Sequence, residues 1–223
     1  MRDEYLTAGE AMQGSHEDRI KYPRTPHLPF SRGRTSDDKV LTSTEHFDGK
    51  EVVVTEKMDG ENTSMYADGF HARSLDSRHH LSRDWLAKFH AGICYDIPKG
   101  IRICGENVYA RHSVVYKTLP SYFLGFSVWE QNRALSWDDT IEYFTLLGIS
   151  PVRELYRGLF NAPRLGALAK SLNTETTEGF VVRLADSFEY IDFSSSVAKW
   201  VREKHVQTDR HWMKAAIVPN ELA

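Results

Sequence analysis

A lysine closing a valine-rich run is the first residue whose type and placement could do chemistry. Glu51-Val52-Val53-Val54-Thr55-Glu56-Lys57 leads directly into Met58-Asp59-Gly60-Glu61-Asn62. An amine attacks a phosphorus or carbonyl centre only when unprotonated. A partly desolvated lysine with cationic neighbours has a lowered pKa, which would suit Lys57 to nucleophilic work. The plainer reading is an edge-strand lysine at a hairpin mouth. Asp59-Gly60 should turn the chain tightly, letting loop backbone approach a phosphate or a sugar. Four distant segments carry the other candidates. Cys104-Gly105-Glu106-Asn107 ends a run with a carboxylate, and Leu124-Gly125-Phe126-Ser127-Val128 supplies a ring. Thr177-Glu178-Gly179-Phe180-Val181 opens a run with a carboxylate, and Val197-Ala198-Lys199-Trp200-Val201-Arg202 supplies a cation. Singly, Glu106 and Glu178 read as surface carboxylates, Phe126 as a core ring and Lys199 as a solvated side chain. Their order along the chain is what argues for a site.

These residues need a scaffold, and the pattern predicts one rich in strands. Residues 51–57, 62–67 and 70–73 read as a meander joined by the turns Asp59-Gly60 and Asp68-Gly69, hence antiparallel. Residues 101–106, 122–130, 178–184 and 188–193 read as further strands. Ser82 can cap a helix through His90 with Trp85, Leu86 and Phe89 on one face. Ser136 caps another through Leu147, stopped by Gly148, and Asn161-Ala162-Pro163 opens a third to about Ser171. Strands and helices come in blocks, so the expected class is α+β with mainly antiparallel sheets flanked by helices. The first 45 residues hold Pro23, Pro26 and Pro29 and read as an irregular arm wrapped on the body. Residues 46–202 form the core, and 203–223 a basic tail, within a single domain of 1–223.

Composition narrows the class. The chain has 223 residues, 41% hydrophobic, with 28 Lys+Arg against 31 Asp+Glu. At this size folding needs no disulfide or metal staple. No 18-residue apolar run exists, so no membrane span is expected. The acidic, non-apolar start is not a secretory leader. Two cysteines, Cys94 and Cys104, argue for a reducing compartment and a cytoplasmic location. A net charge of -3 is unlike a protein that merely coats nucleic acid. The local cluster Lys199, Arg202, Lys204, Arg210 and Lys214 is basic all the same. His79, His80 and His90 lack a carboxylate or cysteine at helical spacing, so they are not expected to hold a metal.

Taken together, the segments resemble the covalent nucleotidyltransferase superfamily of polynucleotide ligases and mRNA capping enzymes, and within it RNA ligases of the T4 RNA ligase 2-like type. Lys57-Met58-Asp59-Gly60 is similar to the first motif, lysine-x-aspartate-glycine. Phe70-His71-Ala72-Arg73-Ser74 is similar to the second, with Arg78 competing for the role of Arg73. Gly105-Glu106-Asn107 is similar to the third, with Phe126 its aromatic companion, Glu178-Gly179-Phe180 to the fourth, and Ala198-Lys199-Trp200-Val201 to the fifth.

The resemblance implies an adenylation domain of the ligase or ATP-grasp-like type and a three-step reaction. Lys57 would take AMP from ATP, pass it to a 5′-phosphate end, and a 3′-hydroxyl would displace it. Lys199 would neutralise the α-phosphate and help keep Lys57 deprotonated. Glu178 would hold Mg²⁺ or Mn²⁺. Arg73 and Glu106 would meet the ribose, Phe126 the adenine face and Glu56 the adenine edge. Asn62 would serve sealing. The implied partner is RNA with 3′-hydroxyl and 5′-phosphate ends, a nicked duplex among its forms, contacted by Asn62, Arg202, Lys204, Arg210 and Lys214. Oligomeric state stays open. The fifth motif ordinarily has two lysines, and the second position here is Val201, leaving Arg202 or Lys204 to supply a second cation. Only 24 residues follow Lys199, too few for the OB-fold domain of DNA ligases and capping enzymes, so none is expected. Other readings are a DNA ligase, a guanylyltransferase, and a nucleic-acid-binding domain without turnover.

Overall fold

The computed structural model describes residues 18–76, 79–203 and 216–223. Eleven strands lie among them. They are β1 (Glu51–Lys57), β2 (Glu61–Tyr66), β3 (Gly69–Ala72), β4 (Ile101–Asn107), β5 (Phe123–Glu130), β6 (Arg133–Ala134), β7 (Ser150–Pro151), β8 (Glu154–Leu159), β9 (Gly179–Leu184), β10 (Phe188–Glu189) and β11 (Val197–Val201). Helices are α1 (Asp84–Ile93), α2 (Trp137–Leu146), α3 (Ala162–Ser171) and a single turn, α4 (Phe193–Ser196). A small sheet runs β11-β9-β1-β8, and a larger one β10-β6-β5-β4-β2-β3, with β7 beside β5. All pairings are antiparallel except β5 with β7. The architecture is the expected α+β class.

The continuous valine run of β1 follows from burial on both faces. Val52 and Val54 pack with Leu28, Phe47, Leu165, Phe180 and Trp200, under α3. Val53 points the other way, into a cluster with Met58, Val108, Leu124 and Trp137. Each fully buried valine is worth about 1.5–3 kcal/mol, which fixes β1 as a central strand. The two longer predicted caps form as expected: Ser136 Oγ accepts from Asp139 N at 3.1 Å, and Asn161 Oδ1 from Arg164 N at 2.8 Å. Each contributes about 1 kcal/mol. Helix α1 starts later than expected, at Asp84, behind a 3-10 turn capped by His80, and runs on to Ile93. Ser82 is buried there, its carbonyl accepting from Asn107 Nδ2.

Two expectations are corrected. Residues 51–73 are not one meander. β2 and β3 pair, but β1 belongs to the other sheet, so Asp59-Gly60 hands the chain from one sheet to the next. The reason is local: Asp59 is held by another loop, and Gly60 lies against β4, where a Cβ would come within 2.5 Å of Asn107 O. The strand expected over 188–193 ends at Glu189, and Tyr190–Asp192 and Phe193–Ser196 turn helically. That turn buries Phe193 against Tyr22 and Trp129, leaving Ile191 exposed.

The described part of the N-terminal arm, residues 18–45, lies on the body. Leu28 N donates to Lys199 O and Gly33 N to Val201 O, while Lys199 N donates to Pro26 O. The arm thereby pairs with the outer edge of β11, its prolines keeping it from becoming a regular strand.

Candidate active site

Lys57 is the last residue of β1, and its register partner on β9 is Gly179. That pairing brings Glu178, the residue before β9, beside the lysine: Lys57 Nζ donates to Glu178 Oε2 at 2.5 Å. The approach of β9 to β11 requires glycine at 179, since a Cβ would sit 2.0 Å from Trp200 O. On β11, Lys199 lies opposite Val181 and faces the same space as Lys57. From the larger sheet, Asn62 on β2 and Glu106 on β4 are cross-strand partners, and Phe126 lies on β5.

These elements enclose a cleft of about 970 Å³, open space at its mouth included. Glu56, Lys57, Asn62, Arg73, Glu106, Phe126 and Lys199 all line it. Glu178 touches it through Lys57. The structure thus brings together every one of these candidates from both sheets. It does not bring Arg202 into the cleft. Lys199 and Val201 alternate with Trp200 and Arg202 along the strand, and Arg202 emerges in a separate groove, its Nη2 donating to Ser113 Oγ at 3.1 Å. Arg78, Lys204, Arg210 and Lys214 lie outside the described residues.

The electrostatics correct one expectation. Lys57 was expected to have a lowered pKa with help from Lys199. Burial does push it down, but the Glu178, Glu106 and Asp59 carboxylates outweigh that and hold it above the ordinary lysine value. The repulsion falls on the other partner: burial and then the Lys57 charge depress Lys199, against the pull of Asp38, whose Oδ1 lies 4.0 Å from Lys199 Nζ. Glu106 is pushed up to about 8, chiefly by burial and then by Glu178 and Asp59, against the pull of Lys57. Burial also raises Glu178, opposed by Lys57 and Lys199. Glu56 is raised by burial, with Arg153 pulling it back through a 3.0 Å ion pair.

The Asp59 side chain is tied to a neighbouring loop. Its Oδ2 accepts from Ser113 N at 2.6 Å, Ser113 Oγ at 2.8 Å and Val114 N at 2.7 Å, and Asp59 N donates to Tyr116 Oη. The aspartate clamps the loop over 113–116 to the end of β1 and so fixes where Lys57 stands.

Sequence reasoning missed part of the cleft wall. Tyr22, Pro23, Arg24 and Thr25 of the arm line it. Tyr22 sits edge-on to Phe126 with ring centroids 5.3 Å apart, and also against Trp129 and Phe193. The one signal was an aromatic at the mouth of a proline-rich stretch, which by itself has no address. Thr55 and Arg183 line the cleft as well. Both alternate with obvious core positions in β1 and β9 and read as ordinary strand residues.

A mixed two-sheet core thus sets a lysine, two carboxylates, a ring and a second lysine around one cleft. Residues 50–201 match the RNA ligase family, and the chain belongs to that family. None of the curated proteins matches. Among solved structures, a putative ATP-dependent DNA ligase from Aquifex aeolicus is 20% identical with a TM-score of 0.53, the match covering 84% of this chain and 50% of that one. An archaeal ATP-dependent RNA ligase is 16% identical, with a TM-score of 0.54, covering 83% and 48%. A Naegleria gruberi RNA ligase variant with ATP and Mn is 15% identical, with a TM-score of 0.51, covering 85% and 64%. At these identities the likeness is one of fold. The chain spans about half the length of the first two.

Proposed function

We propose that this chain is an ATP-dependent RNA ligase that works through a lysyl-AMP on Lys57. The observation that carries the reading is the convergence of Lys57, Glu178 and Lys199 on one cleft whose other walls are Asn62, Arg73, Glu106 and Phe126. In the first step Lys57 Nζ attacks the α-phosphorus of ATP. A nitrogen–phosphorus bond forms, the bond to the bridging oxygen breaks, and pyrophosphate leaves. An oxygen of the RNA 5′-phosphate then takes the AMP, and the lysine nitrogen leaves. The 3′-hydroxyl closes the phosphodiester and releases AMP.

The side chains suit this work. Phosphoryl transfer asks for positioning and charge neutralisation more than for covalent help. Lys199 neutralises the α-phosphate, Phe126 offers a face to the adenine, and Arg73 and Glu106 meet the ribose. Glu56 reads the adenine edge, and Asn62 acts in sealing. Glu178 is an oxygen donor of the kind hard cations prefer. Among the described residues, no three His, Cys, Asp or Glu side chains group to hold a metal ion. Mg²⁺ or Mn²⁺ would therefore take one ligand from Glu178 and the rest from phosphate oxygens and water, a mixture that Mg²⁺ favours. When bound, the cation supplies neutralisation of phosphate charge. A Glu178 turned to that task no longer holds the Lys57 ammonium, so the lysine loses its nearest counter-charge as it must shed its proton.

The test is incubation with α-labelled ATP and a divalent cation, followed by denaturation. Label should stay on the wild type and be lost in Lys57→Ala; an unlabelled wild type overturns the reading. Sealing of nicked RNA, nicked DNA and single-stranded RNA should favour an RNA substrate. Joining of nicked DNA alone would make the enzyme a DNA ligase, and labelling by GTP instead of ATP a capping-type transferase.

A further inference from the structure

A second groove lies on the opposite side of β11 from the nucleotide cleft. Trp200, Arg202 and Glu203 line it from the strand's end, Phe30 and Arg32 from the arm, and Lys170 from the last turn of α3. Its open space, mouth included, is about 1390 Å³. Three cations face one carboxylate there. Among the described residues, neither Arg32 nor Lys170 forms an ion pair, and both are exposed. Arg202 is the informative member. It is only 7% exposed, no carboxylate among the described residues pairs with it, and its Nε is buried without an acceptor. Removing a guanidinium from water without a counter-charge is costly, and a half-satisfied fork at the wall of a groove calls for an anion. A guanidinium is a strong donor to phosphate oxygens.

The position of the groove ties it to the reacting end. Arg202 N donates to Glu178 O at 3.0 Å, and Glu178 is the residue that holds Lys57. Through Ser113, Arg202 also reaches the Asp59 clamp. Part of the groove is built outside the stretch shared with the family, since Phe30, Arg32, Arg202 and Glu203 fall beyond residues 50–201.

We infer that this groove is the track for the phosphodiester backbone of an RNA strand, with Arg202 gripping the phosphate nearest the reactive lysine. The inference rests on the RNA ligase reading for the identity of the strand, and on the groove itself for its charge. Phe30 gives the track an apolar wall that any base can lie against, as suits binding without sequence preference.

The test measures binding of a labelled single-stranded RNA to the full chain across a range of salt. Arg32→Gln/Lys170→Gln removes two exposed cations of the groove. Lys88→Gln/Lys99→Gln removes two exposed cations from the α1 side and serves as the control. The groove pair should weaken binding about ten-fold at 0.1 M salt and lower the log–log salt slope by about 1.4, as two lost single-strand phosphate contacts require. The control pair should do neither. Arg202→Lys keeps the charge but loses the fork, and should weaken binding without lowering the slope. Equal losses in the two pairs, or no loss in the groove pair, overturn the track. A DNA strand of the same sequence bound with equal affinity and equal sensitivity leaves the backbone reading standing. An acidic peptide that displaces RNA and depends on the same cations assigns the groove to a protein partner and overturns it. Because binding is read directly, a wild type that never takes up adenylate sinks the ligase reading without touching this result.

Discussion

Lys57 Nζ and Glu178 Oε2 meet at 2.5 Å although 121 residues separate them in the chain. The pair holds the Lys57 amine as an ammonium in the ligand-free protein. Modification of Lys57 by an amine reagent should therefore need a more alkaline pH than that of an ordinary lysine. Glu178→Gln removes the nearest negative charge and should shift that profile to lower pH, read residue by residue by mass spectrometry. The same variant should lose nearly all cation-dependent adenylylation. An unmoved profile would mean that the carboxylate does not govern the amine.

Glu106 makes a prediction about stability. Its folded-state pKa, about 8, lies above the ordinary value of 4.5. The folded chain therefore binds more protons than the unfolded one between those values, and stability must fall as pH rises through that window. Glu106→Gln carries no ionisable proton and should flatten this part of the curve. At this chain length each kcal/mol moves Tm by about 2–4 °C, so scanning melts at pH 5 and pH 8.5 would resolve the difference. A wild type and variant with parallel pH curves would refute it.

Asp59→Ala strips three acceptor contacts from the loop over 113–116. Hydrogen bonds to a charged group contribute about 1.5–3 kcal/mol each, and the freed backbone N–H groups lose their acceptor. A loss of at least 3 kcal/mol in chemical denaturation is expected. Asp59→Asn, which keeps one acceptor oxygen, should recover part of it. A cost below 1 kcal/mol would show that the loop holds itself.

At Gly179 a methyl group has no room, because Trp200 O would lie 2.0 Å away. Gly179→Ala must push β9 from β11 and carry Lys199 with it. Overpacking of this kind costs about 1–3 kcal/mol. Adenylylation should fall by more than the stability loss explains, since Lys199 moves relative to Lys57. A variant with normal kcat would show that the two strands can separate without moving the lysine.

Much of this architecture was legible because its signals were local. The valine run of β1, the caps Ser136 and Asn161, and the short motifs around Lys57, Glu106, Glu178 and Lys199 each speak within a few residues. What was missed depends on distant partners. β8 carries Glu154, Arg157 and Gly158, an unpromising strand until Arg157 is seen between Glu51 and Asp138. β11 read as a cation-bearing motif, and only its pairing with β9 makes it a strand. The cleft wall formed by Tyr22 to Thr25 was hidden for the same reason, since a proline-rich arm carries no record of the surface it covers. The charge state of Lys57 was misjudged because Lys199 was weighed while the carboxylates around the amine were not.

The order in which the small sheet assembles has a consequence for biosynthesis. β1 lies between β8 and β9, so both neighbours of the strand that bears Lys57 are made about a hundred residues after it. Closing so long a loop is slow. While the chain is still on the ribosome, Lys57 has neither its carboxylate nor its second cation. The cleft around Lys57 is therefore incomplete until translation has passed residue 199.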